Sequence, residues 1–303
     1  MKNTERYLAF IIESRHITAV EIAHSPKGKT LTAAGSFDSE IDFDSPEVYG
    51  EVGSAGREKI FVKEIQSFIK RIGAGAHFFS FGLNTRMAML QQIPVEASLT
   101  DEEFNVHLRW ELQNYFPNAS PEQYVVQPYA LVGDNGVAGS NAMIISVKKS
   151  FVNFLNNVCQ EMHGSMHILD IDQFCAEGAI LYNYPHLAQK RTAVIGVDEE
   201  TLDAGLLVNG KNSDIRTMRW NRRDLSSIGK YAREKGAEVI YLHGRIVSQK
   251  MVDLLKEISP IDVEMADPFR KVALPATIKN VDEIKMRRQE YTAAVGLAVR
   301  EEE

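Results

Sequence analysis

Twice along this chain an apolar hairpin leads into alternating helices and strands, and that doubling constrains the fold more than any single motif. The first hairpin runs Leu8 to Ile12, a polar turn Glu13-Ser14-Arg15-His16, then Ile17 to Ala23. The second runs Thr192 to Val197, Leu202 to Val208, the turn Asn209-Gly210 and a returning strand Ser213 to Trp220. Asn-Gly accepts the positive φ angles of a tight turn, so this hairpin is well specified. After the first hairpin, Ile60, Phe61, Ile65, Phe68, Ile69 and Ile72 fall at helical spacing, Gly73 and Gly75 stop the helix, and Ala76 to Leu83 reads as a buried strand. After the second come a basic helix Leu225 to Lys235, a strand Val239 to Leu242, a helix Val247 to Ile258, a strand Ile261 to Met265 and a closing helix, about Glu283 to Arg300. Such a repeat predicts an α/β chain of two similar lobes, duplicated in architecture though not in residue identity.

Between the lobes lies a block with its own rhythm. Met87 to Val95 predicts a strand, and Thr100 with Glu103 forms a capping box opening a helix to about Phe116. Phe104, Leu108, Leu112 and Tyr115 make its apolar stripe, and Pro117 ends it. Tyr124 to Val132 and Ala142 to Lys148 read as strands, and Ser150 as the cap of a helix that turns Phe151, Phe154, Leu155, Val158 and Met162 inward. The expected organisation is residues 1–83 with 165–185 as the first subdomain, 84–164 as an inserted α+β subdomain, and 190–303 as a shortened second domain. Thr30 to Phe37 adds a third strand to the opening hairpin, and Asp38 to Glu58, rich in Asp, Ser, Gly and Pro, reads as a loop.

Composition excludes several classes. With 303 residues, 44% hydrophobic and 25% charged, the chain is globular, and its net charge of -7 speaks against a surface built to embrace nucleic acid. Two cysteines, Cys159 and Cys175, read as reduced core thiols. No run approaches the ~20 apolar residues of a membrane helix, and no secretion leader is read at the start, so a cytoplasmic location is expected.

Other candidate signals carry a plainer reading. His163 and His167 are four apart, but Gly164 between them marks a helix end, which favours surface or loop over metal. Asp170 and Asp172 share a strand face, read as a solvated strand end. Gly73-Ala74-Gly75 follows a helix and reads as a helix stop. Arg216, Arg219, Arg222, Arg223, Lys230, Arg233 and Lys235 form the densest basic stretch, a solvated face or else a docking face for an acidic partner. Trp110 and Trp220 read as packing residues.

In order along the chain, several segments resemble PilM, the actin-like protein of type IV pilus assembly, and more distantly FtsA. These are the opening hairpin with Val20-Glu21-Ile22, the stretch Glu111-Leu112-Gln113-Asn114-Tyr115-Phe116-Pro117 leading to Tyr124 and Tyr129, Leu242-His243-Gly244, and Asp267-Pro268-Phe269 followed by Ala294-Val295-Gly296-Leu297-Ala298-Val299-Arg300. The resemblance implies an actin-like, ribonuclease H-like duplicated fold. It also implies a nucleotide cleft, here degenerate and lined by Glu13, Ser14, Arg15, Asp198, Glu199 and Gly244. Laid on the family, Ile11 stands where an Asp would hold the metal's waters, Glu13 where a glycine would admit phosphate, and Thr18 where a Lys would stand. Gly196 takes the place of the second hairpin's Asp, and Asp198 that of its Gly, although a slip of register would restore Asp198 as the acid. Ile11 offers no oxygen ligand, and Glu13 adds charge of the wrong sign. Only about 18 residues separate Arg219 from Val239, where the family holds a whole second jaw.

The resemblance therefore implies a non-catalytic cytoplasmic scaffold without nucleotide or metal. Its expected partner is the cytoplasmic tail of a PilN-type inner-membrane protein, alongside other pilus or secretion platform proteins, and no docking residues are assigned. The alternatives are an ATPase of the same fold that binds Mg-ATP, the cytoplasmic part of a type II secretion platform, which would continue into a membrane helix beyond Glu303, and a small-molecule kinase.

Overall fold

A computed structural model describes residues 4–45, 54–95, 100–115, 120–133, 136, 138–221 and 224–300. Its first sheet is built from β1 (Glu5–Glu13), β2 (His16–Ser25), β3 (Gly28–Asp38), β4 (Phe78–Leu83) and β8 (Ser165–Ile171), in the order β3-β2-β1-β4-β8. Its second uses β9 (Arg191–Val197), β10 (Thr201–Val208), β11 (Lys211–Arg219), β12 (Val239–His243) and β13 (Asp262–Met265), in the order β11-β10-β9-β12-β13. The two sheets have one topology. Each starts with an antiparallel meander, and its first strand then pairs in parallel with a strand reached by a helical crossover. The duplication read from the sequence is thus the duplication of the fold.

Burial on both faces explains the apolar strands. In β1, Leu8, Phe10 and Ile12 enter one core while Ala9 and Ile11 enter another. The first core joins Phe10 and Phe81 to Phe43, to Phe61 of α1 (Ser54–Ile72) and to Phe151 and Phe154 of α3 (Lys149–Glu161). The second lies between the sheets. There α4 (Asp172–Asn183) crosses α8 (Thr292–Ala298); α8 packs on β1 and β2 of the first sheet, and α4 on β9 and β10 of the second, in a core that includes Val194 and Leu207. Gly296 sets how close the crossing is, since a Cβ there would lie 1.8 Å from the Cys175 carbonyl oxygen. The outer face of the second sheet is covered by α5 (Ser226–Glu234) and α6 (Gln249–Ile258). A third sheet, β5 (Met89–Pro94), β7 (Ala138–Lys148) and β6 (Tyr124–Val132) in that order, carries α2 (Asp101–Tyr115) on one face through Leu108, Ile93 and Ile144. The link from β11 to β12 holds one helix, α5, as its length requires.

Four local expectations need correction. Helix α1 starts at Ser54, inside the stretch read as loop, because Ser, Ala and Gly at its first positions look like turn residues. Ser150 is not the cap of α3: Lys148 is, and Ser150 sits in the first turn. The closing helix is broken into α7 (Val281–Met286), a 3-10 turn Arg288–Tyr291 and α8. The break lets Glu290 reach the opening hairpin, at His16, while Ala294 and Leu297 face the core. Trp110 is 58% exposed, with its ring stacked on His107. Both cysteines are buried and free, and burial pushes the Cys159 thiol up to about 12. Among the described residues, no helix is long and apolar enough to cross a membrane.

Candidate functional site

The turns of the two opening hairpins meet across a cleft of about 320 Å3. Glu13, Ser14 and Arg15 come from the β1–β2 turn, where Ser14 takes φ 55°, and Asp198 and Glu199 from the β9–β10 turn. Gly244 lies just behind, in a small floor pocket of about 20 Å3 that also touches Glu13 and Asp198. The six residues picked from the sequence therefore line one connected site.

Its chemistry is dominated by acids. Asp38, Asp44 and Glu200 join Glu13, Asp198 and Glu199 on the walls, facing Arg15, Arg86, Arg245 and His16. The arginines are already engaged. Arg86 bridges Asp44 at 3.2 Å and Asp198 at 3.3 Å, tying the first lobe to the second. Arg245 pairs with Glu199 at 3.4 Å, and Arg15 with Asp42 at 3.6 Å. His16 sits between Asp38 (2.8 Å) and Glu290 (3.3 Å); burial lowers its basicity, but these hydrogen bonds together with the charges of Glu13 and Glu290 raise the pKa above the ordinary value. The half-buried Glu13 carboxyl is pushed up to about 7, first by burial and then by the negative charge of Asp198.

The floor holds two more acids, which the sequence reading left out. Asp172 opens α4, buried, and accepts a hydrogen bond from the Asn84 amide at 3.3 Å. It was read as part of a solvated strand end. Only its neighbour Asp170 lies near the surface, ion-paired with Arg300. Burial, then Asp203 and Glu13, hold Asp172 well above the usual carboxylate range. Asp203 accepts from the hydroxyls of Thr85 (2.7 Å) and Thr217 (2.6 Å), and its pKa is raised by burial.

Behind the floor, α4 sends polar side chains into the second sheet. The Gln173 amide donates to Glu177 (2.9 Å) and to the Val194 carbonyl (3.0 Å), while its oxygen accepts from His243 Nε2 at 3.3 Å. His243 is neutral, its pKa lowered to about 4 by burial. Glu177 also accepts from Asn212, whose oxygen accepts from the Tyr129 hydroxyl at 3.0 Å. Gly205 makes the room: a Cβ there would lie 1.7 Å from the Glu177 carboxyl. The spacing of Asp172, Gln173 and Glu177 at the start of a helix was the signal available for this network.

The histidine pair falls apart, as the helix end implied. His163 follows the end of α3 at φ 58° and is exposed, whereas His167 packs its ring at a tilt against Tyr7 in the sheet. Among the described residues no cluster of His, Cys, Asp or Glu has the geometry to hold a metal ion.

No known family model and no curated protein matches the sequence. Solved structures do. A chain of a PilM–PilN type IV pilus biogenesis complex superposes over 97% of this chain and 98% of its own length, with a TM-score of 0.70 at 18% identity. A Bacteroides thetaiotaomicron protein of unknown function, with an actin-like ATPase fold, covers 88% of this chain and 93% of its own, with a TM-score of 0.51 at 12% identity. The fold is actin-like.

Proposed function

We propose that this chain is a non-catalytic scaffold of a pilus or secretion platform, and that it binds the cytoplasmic tail of an inner-membrane protein of the PilN type. One observation carries the non-catalytic part: both hairpin turns facing the cleft carry acids, and the arginines that could neutralise a ligand's charge are paired with carboxylates, Arg86 with Asp44 and Asp198, Arg245 with Glu199 and Arg15 with Asp42. A nucleoside triphosphate would bring several negative charges against Glu13 and Asp198 in a partly desolvated space, and repulsion there is costly. The likeness over the whole chain to a member of a PilM–PilN complex supports the tail as partner. An extended tail docks through backbone pairing and apolar pockets and needs no chemistry from the cleft. Location at the inner face of the membrane would follow from that partner.

Isothermal titration tests both parts. With Mg-ATP we expect no binding tighter than about 10 µM, which corresponds to about 7 kcal/mol. Tighter binding refutes the scaffold-only reading. Synthetic N-terminal tails of candidate inner-membrane partners should bind the folded chain; if none does, the docking role fails.

A further inference from the structure

A second groove lies away from the acidic cleft's turns, where the third sheet leans over β11. It has a volume of about 560 Å3. On one side it is lined by Leu90 and Gln92 of β5 and by Ala88 just before the strand, alternate residues, which is how a strand presents its face. From β11 it is lined by Ile215, Arg216, Thr217 and Met218, four consecutive residues, which is how a strand presents its edge. Strand β11 is outermost in the second sheet. Its beginning is covered by β6, through the Tyr129–Asn212 hydrogen bond, and among the described residues no strand pairs with the outer side of Ile215 to Met218. The floor is Met143 against Ile215, both in the first core, with Leu90 half-buried above them.

We propose that this edge takes up an extended, acid-bearing peptide segment of a partner protein as a sixth strand of the second sheet. An open edge supplies backbone donors and acceptors in a row, and a facing apolar surface supplies pockets for alternate side chains. The groove has both. Charge selects the occupant further. In a chain of net charge -7, Arg216 lines this groove with its side chain 53% exposed, beside its partner Asp214. An acid on the incoming strand complements that charge, and a basic segment is repelled by it. The occupant is therefore a strand with apolar residues at alternate positions on the side of Leu90 and Ile215, and an Asp or Glu on its other face opposite Arg216. The groove alone carries this proposal; it stands or falls apart from the tail-binding role.

The test selects binders from a random dodecapeptide phage library against the full chain. Enriched sequences should alternate apolar residues and include an acid. The synthetic peptides should slow amide exchange at Ile215–Met218. Methylating the backbone amides on the strand's β11-facing side should abolish binding, and methylating the opposite set should not. Arg216→Glu should weaken binding about tenfold or more and Arg216→Lys should retain it, with circular dichroism confirming that both variants are folded. The proposal is overturned by no enrichment over an unrelated protein, by peptides that protect another surface, or by affinities that Arg216→Glu leaves intact.

Discussion

Replacing Glu13 by Gln probes the acidic cleft directly. In the folded chain this carboxyl titrates at about 7, against 4.5 for a free glutamate side chain. The native state therefore holds a proton that the unfolded state has released between those two values. Stability falls as pH rises through that window, and the loss is complete above pH 7. At 1.36 kcal/mol per pH unit, the full penalty is about 3 kcal/mol at pH 8. Glu13 is only half-buried, so solvent screening reduces this to about 1–2 kcal/mol. The glutamine variant carries no such penalty. Urea unfolding at pH 5 and pH 8 should show the variant gaining about 1–2 kcal/mol over the parent at pH 8 and much less at pH 5. The difference between the two proteins reports Glu13 together with its influence on Asp172, because the other acids are present in both. Parallel pH profiles for parent and variant would refute the reasoning, since Glu13 would then be as well hydrated folded as unfolded.

Three further outcomes follow from the geometry. Gly296→Ala places a methyl 1.8 Å from the Cys175 carbonyl oxygen at the α4–α8 crossing, and thermal denaturation should reveal a loss of about 3 kcal/mol or more, or an insoluble chain. Arg86→Ala removes both ion pairs joining Asp44 and Asp198; the loss should be about 1 kcal/mol at low salt and smaller at high salt, read from melting temperatures at two ionic strengths. Ser248 caps α6 by accepting from the Met251 amide, so Ser248→Ala should cost about 1 kcal/mol in urea unfolding.

Local chemistry made much of this fold readable in advance. Asn209 and Gly210 take φ 52° and 74°, as a two-residue hairpin turn demands. The Thr100–Glu103 capping box forms, with the Thr100 amide donating to the Glu103 carboxylate at 2.9 Å. The interval after Arg219 had room for one helix and holds one. What stayed hidden depends on partners distant in sequence. Asp198-Glu199-Glu200 has no basic neighbour along the chain, yet Arg86 and Arg245 reach its acids in space. Asp172 looks like any polar helix start until α4 is packed against the second sheet. The closing helix has an unbroken helical pattern, and its break answers to Glu290 reaching His16 on the other lobe. Periodicity reports which face of an element is apolar; it carries no information on which remote charge will meet a given acid.

That dependence bears on what holds the lobes together. A fold of two lobes around a cleft can rely on a ligand to join them, or it can join them with its own side chains. Here the joints are internal. Gln173 and Glu177 of α4 are hydrogen-bonded to Val194 and Asn212 of the second lobe, Thr85 donates to Asp203, and Arg86 spans to Asp198. Gly205 exists at the point where a side chain would evict Glu177. Most of these groups are buried, so opening the lobes would leave several polar groups without partners, at about 1–3 kcal/mol each unless water replaces them. Closure therefore asks nothing of a bound molecule.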